Sequence, residues 1–187
     1  MLDGMSRALV LTLLVCLFLG LTACGSSGGA TSGDYFESED GDLSGNRLSP
    51  TKVGLVTGVT KLSGTTADGD LDYFTITVPE NGVLSEVVLS AYNSFDNGAF
   101  IAVVEGDIFS VENEGDQTDA GALLGYALFG PEELNEDLLP VMATGGRAGG
   151  EPQGFTLPLE AGDYSFWIQQ TALTTDYTLE FRLELAQ

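Results

Sequence analysis

The sequence predicts an all-β fold, an antiparallel β-sandwich of the jelly-roll type with about eight strands, on three observations. From Val53 onward, short apolar runs rich in Val, Ile, Phe and Tyr are separated by Gly, Asp, Asn and Pro. Several of these runs repeat with period two, the spacing that puts alternate side chains on one face of a strand. Helical periodicity is scarce, so the apolar faces must be buried sheet against sheet.

Taken in order, residues 53–60 (VGLVTGVT) read as a strand weakened by glycine, and 71–78 (LDYFTITV) as one with Phe74, Ile76 and Val78 on a common face. Pro79-Glu80-Asn81-Gly82 is a turn. Residues 83–92, 99–105 and 122–129 are apolar runs whose valines and aromatics favour strand. Residues 154–159 lead through Glu160-Ala161-Gly162-Asp163 into 164–170, where Tyr164, Phe166 and Ile168 share a face. The last run, 176–185, is the clearest: Tyr177, Leu179, Phe181, Leu183 and Leu185 point inward, and Thr178, Glu180, Arg182 and Glu184 outward. Residues 106–153 are longer than ordinary hairpin loops, with a helical turn expected from Pro131, and long loops on a rigid scaffold are where specificity is expected.

Charge narrows the function. The chain has 187 residues, 28 acidic and 6 basic side chains, a net charge of −22 and no histidine. Triads that need an imidazole base cannot be built, and nucleic acid is an improbable partner for scattered basic residues in an acidic background. No pair of carboxylates is singled out by spacing for glycoside hydrolysis. The protein is therefore expected not to be an enzyme.

The N-terminus reads as a processing signal. Arg7 precedes the apolar run Ala8 to Gly20, which is too short to span a bilayer that needs roughly 20 apolar residues. Leu21-Thr22-Ala23-Cys24 follows and resembles the lipobox of bacterial lipoproteins, in which the cysteine thiol accepts a diacylglycerol. That resemblance implies a signal peptide over 1–23, lipidation at Cys24 and an extracytoplasmic location on the membrane. Gly25 in place of aspartate implies the outer membrane in a cell that has two. Cys16 would leave with the signal, so no disulfide could form. Residues 24–50, glycine- and serine-rich and then acidic, read as a flexible tether spanning roughly 25–30 Å, and 51–187 as the sandwich domain.

Motif order adds a second resemblance. Glu39-Asp40-Gly41-Asp42, then Asp68-Gly69-Asp70-Leu71-Asp72-Tyr73-Phe74, then Ala161-Gly162-Asp163-Tyr164 and Tyr177-Thr178-Leu179 are together similar to the bacterial pre-peptidase C-terminal (PPC) domain. That family implies a jelly-roll sandwich and a non-catalytic accessory module, some members binding calcium between the acidic linker and the D-x-D turn. Calcium takes six to eight oxygen ligands, and Glu39, Asp40, Asp42, Asp68, Asp70 and Asp72 are the tentative set, with Gly41 standing where an amide or acid is common. The competing reading is structural: Asp-Gly-Asp favours turns, with Asp72 on the face opposite Phe74 and Ile76 or at the strand's edge.

Ser165, Trp167 and Gln169 lie opposite Tyr164, Phe166 and Ile168, and an exposed Trp beside an amide would suit a sugar ring. A lone Trp in a sandwich more often belongs to the core. The expected function is a lipid-anchored cell-envelope binding or structural module, with calcium as the cofactor the resemblance implies and a polysaccharide or envelope protein as partner. The alternative is a carbohydrate-binding accessory module or degenerate enzyme for extracellular polysaccharide or protein hydrolysis.

Overall fold

A computed structural model describes residues 31–112, 118–145 and 150–185. Cys24, the signal segment and Arg147 lie outside the described residues. Among the described residues, ten strands form two packed sheets. They are β1 (Thr31–Ser32), β2 (Tyr35–Phe36), β3 (Thr51–Gly54), β4 (Gly58–Thr66), β5 (Leu71–Val78), β6 (Gly82–Asn93), β7 (Ala99–Glu105), β8 (Gly125–Phe129), β9 (Gly162–Gln169) and β10 (Thr175–Leu185). One sheet has the order β1-β3-β5-β9-β7-β8 and the other β2-β4-β10-β6. Eight strands have four or more residues, the number expected, and the sandwich is antiparallel except where β1, β2 and β3 pair in parallel. Two one-turn helices, α1 (Glu37–Asp40) and α2 (Leu139–Met142), interrupt the connections.

The main core lies between the sheets and uses the faces that alternation marked. Phe74 stacks on Phe166 at 5.1 Å, and both meet Phe181 edge-on from the opposite sheet. Tyr164, Ile168, Tyr177, Leu179 and Leu183 complete it from β9 and β10. Leu185 is exposed, because the chain runs beyond the core there.

Three segments depart from the expected elements. Residues 53–60 are not one strand: β3 ends at Gly54 in the six-stranded sheet, and β4 begins at Gly58 in the other. Gly58, with φ of 97°, makes the change of sheet possible, since a side chain is strained there. Residues 154–159 form no strand beyond a single bridge from Leu159 to Leu84. In 122–129 only Gly125–Phe129 is strand, and the expected helical turn at Pro131 is a short 3-10 turn, Pro131–Glu133.

The described part of the expected tether is packed. β1 pairs with β3 and β2 with β4, so residues 31–36 join both sheets, and Tyr35 and Leu43 are buried. The packed unit thus includes residues from Thr31 on.

The described residues 106–112, 118–145 and 150–159 are largely structural. Phe109 and Leu123 cover the outer face of the six-stranded sheet, forming a second core with Tyr73, Ala102, Val104, Tyr126 and Trp167. Arg47 fastens this cover. Its backbone oxygen accepts from Phe109 N–H at 2.9 Å, while its guanidinium donates to Phe109 O at 3.3 Å and to Glu112 at 2.9 Å. The open edge of β6 is occupied too. Asn135 N–H donates to Leu89 O, Leu138 N–H to Val87 O, and Asp137 Oδ1 accepts from Val87 N–H. Gln153 and Gly154 likewise donate to Leu123 and Leu124 at the start of β8.

Candidate metal centre

Alternation along β5 gives Asp72 the same parity as Phe74, Ile76 and Val78, so its carboxylate points between the sheets, not away from them. Asp72 is 0 % exposed. It sits at the end of the core beside the turn Asp68-Gly69, where β4 folds back into β5, and it faces Tyr177 of β10. The Tyr177 hydroxyl donates to Asp72 Oδ2 at 2.7 Å, while Oδ1 is buried without a hydrogen-bond partner. Room for the phenol explains the glycine in β4: a Cβ on Gly64 would stand 2.5 Å from Tyr177 Oη.

Two further acids converge on Asp72 from the N-terminal segment. β2 carries Tyr35 inward, and Glu37, two residues on and opening α1, keeps that direction. Its two oxygens accept from Leu43 N–H at 3.1 Å and Thr65 N–H at 2.6 Å, which pins the carboxylate between the segment and β4. Gly41, at φ of 100°, turns the chain back, and its carbonyl accepts from Tyr35 Oη at 2.7 Å. Asp42 follows directly. One carboxylate oxygen from each of Glu37, Asp42 and Asp72 lies within 4.8 Å of the others. Two oxygens on opposite sides of one calcium ion stand about 4.6–5.2 Å apart at ordinary bond lengths.

The electrostatics of the cluster are one-sided. Burial, with Glu37, Asp70 and Asp42 adding to it, pushes Asp72 up to about 8 against the opposing hydrogen bond from Tyr177. Burial also raises Glu37 above the usual carboxylate range, outweighing its two backbone donors, with Asp42 and Asp70 adding to the rise. Asp70 is raised by burial and then by Asp42. Tyr177, wholly enclosed and facing Asp72, is held far above the ordinary phenol range. No basic side chain is among the groups acting on any of these four.

Of the six acids expected to hold calcium, Asp42 and Asp72 belong to this group and Asp70 lies close enough to feel Asp42. Glu39, Asp40 and Asp68 are exposed outside it. Asp40 Oδ2 instead accepts from Phe36 N–H at 2.9 Å, and Asp68 occupies a turn with Gly69 at φ of 79°. Glu37 is the member the acidic run concealed. No local pattern marks it, because Glu37 opens α1, where the period-two alternation of a strand no longer holds.

The sugar platform has no accessible ring. Ser165 is buried against Thr75 and the Gly106 carbonyl, and Trp167, 1 % exposed, stacks on Tyr73 beneath Phe109. Only Gln169 retains partial exposure. The cause is the cover over the outer face, which no local pattern announces. On the other sheet a groove of ≈ 230 Å³ opens beside Glu37, Ser63, Thr65, Asn93, Asp176 and Tyr177.

Compared with family models, curated proteins and solved structures, the chain matches none. The likeness to PPC domains therefore rests on the order of its short motifs.

Proposed function

We propose that this protein is a non-catalytic β-sandwich module of the cell envelope, carried on lipidated Cys24, in which calcium clasps the N-terminal acidic segment to the sandwich through Glu37, Asp42 and Asp72. The observation that carries the reading is Asp72 Oδ1. A buried carboxylate oxygen without a donor, ringed by acids, is costly unless a proton or a cation meets it. The donor set is all oxygen, which suits a hard cation. A catalytic role fits poorly, since an acid with no exposed surface cannot reach a substrate. The lipid anchor rests on the lipobox resemblance, and the envelope location follows from that anchor.

Thermal unfolding of the intact chain in EDTA, calcium or magnesium at matched ionic strength tests the clasp. A specific calcium site raises the midpoint by several degrees where magnesium does not, and Asp72→Asn removes the difference. Equal effects of the two ions in the wild-type chain would reduce the cluster to a protonated carboxyl and solvated acids.

A further inference from the structure

We propose that residues 106–112 act as a built-in plug on the outer face of the six-stranded sheet, occupying a site that accepts an extended partner peptide bearing an aromatic side chain. Phe109 is the plug. Its ring lies 5.5 Å from Tyr73 and 5.7 Å from Trp167, tilted or edge-on to each, and is fully buried. The surrounding face is unusual for the outside of a sandwich, where antiparallel strands ordinarily turn polar residues to water. Here β5, β7 and β9 turn Tyr73, Phe100, Ala102 and Trp167 outward.

Two details point to a peptide. The plug's main chain is read by Arg47, whose carbonyl accepts from Phe109 N–H and whose guanidinium donates to Phe109 O and Ser110 O. These are main-chain groups, which any peptide segment offers in the same order. The second detail is the mismatch the plug leaves. Trp167 Nε1 is buried with no acceptor, although a buried indole N–H ordinarily has one. A ligand that places an aromatic ring where Phe109 sits and a carbonyl at Nε1 satisfies a donor that the plug does not. Beyond the buried Phe109 ring and its bonds to Arg47, the fastening is light: Arg47 and Glu112 pair at 2.9 Å on the surface, with Glu112 68 % exposed, and exposed pairs of this kind hold weakly.

Trp167 is the chain's single tryptophan, so its emission reports on this face alone. The probe is the free acetylated peptide of sequence 106–112 (GDIFSVE), added to the intact chain and to Phe109→Ala. In Phe109→Ala the emission shifts to the red, and the peptide restores the blue-shifted state, whereas the same peptide carrying Phe109→Ala does not. Wild type binds the peptide about tenfold more weakly or worse, because its own plug competes. Arg47→Ala keeps Phe109 and serves if the first variant fails to fold: acrylamide quenching of Trp167 rises above wild type and the peptide suppresses it. Failure of the peptide to act on either folded variant overturns the proposal, as does quenching in Arg47→Ala that equals wild type. A shift produced in Phe109→Ala by a cello-oligosaccharide and not by the peptide would also overturn it, assigning the face to sugar.

Discussion

The two cores of this protein differ in what closes them, and among the described residues each contains one buried side-chain polar atom without a partner. The main core is closed by strands on both sides, and its orphan is Asp72 Oδ1, an acceptor among acids. The second is closed by a loop over a strand face, and its orphan is Trp167 Nε1, a donor among aromatic rings. The contrast is chemical as well as architectural. An indole N–H without an acceptor forfeits a hydrogen bond but carries no charge. A carboxylate among carboxylates carries one and must recruit a proton or a cation. The lesson is that an unpaired buried atom is informative in proportion to the charge it can carry.

The largest expected effect distinguishes strand-built from loop-built packing. Phe166→Ala, at the centre of the main core between Phe74 and Phe181, lowers stability by about 3–5 kcal/mol. Phe109→Ala, whose segment can settle into the space left, falls at or below the lower end of that range. Denaturant midpoints measure both, and equal losses would mean that the two cores form one cooperative unit of uniform rigidity.

Next comes the cation. At a hundredfold excess over its dissociation constant, calcium adds about 2.7 kcal/mol if it binds only the folded state. Asp72→Asn and Glu37→Gln abolish this increment, while Glu39→Gln and Asp68→Asn, outside the cluster, leave it intact; calorimetric titration separates the two sets.

The sequence showed the main core and hid the second. Alternation was enough to place Phe74, Ile76, Tyr164, Phe166, Tyr177 and Phe181, because each faces a partner strand with the same period. It could not show that Ser165 and Trp167 are buried as well, since their cover comes from residues distant in the chain. Strand β4 was legible only at Gly58–Thr60, because further on Gly64 makes room for Tyr177 and Ser63 and Thr65 bond Thr178 and Asp176 of β10, choices that hydrophobicity does not mark. The acidic cluster was half legible. The acidic run and the D-x-D turn were visible, and strand parity selects Asp72, whereas Glu37 is placed by its bonds from Leu43 and Thr65, which no local pattern announces.

Acidity gives a third contrast, between protonated and metal-bound states of one site. Asp72 is raised from its ordinary value of 3.8 to about 8, so the folded state holds a proton that the unfolded chain has lost across that interval. In EDTA its contribution is complete below about pH 4, declines as pH rises and is gone above pH 8. One such proton gives a slope of at most about 1.4 kcal/mol per pH unit. Glu37 and Asp70 are raised too and act in the same sense. Saturating calcium flattens the decline, because the ion takes the proton's place. Urea midpoints between pH 4 and 9, with Asp72→Asn as control, show both behaviours.

The smallest effect belongs to the surface. Arg47→Ala and Glu112→Ala each cost about 1 kcal/mol or less. Self-repulsion at a net charge of −22 makes the melting temperature rise with NaCl, and a midpoint independent of salt would contradict this.

The placement of residues 135–138 and of Leu159 along β6 has a consequence for how the molecule behaves in a crowd. A strand of twelve residues with a bare edge is a template on which another chain can pair. Here that edge is already engaged by Asn135, Asp137, Leu138 and Leu159, and the β1 and β2 edges are only two residues long. Damage to the covering segment therefore threatens self-association before it threatens the fold, and a variant such as Asp137→Ala would disclose itself first as fibrils or aggregates, with the sandwich still intact.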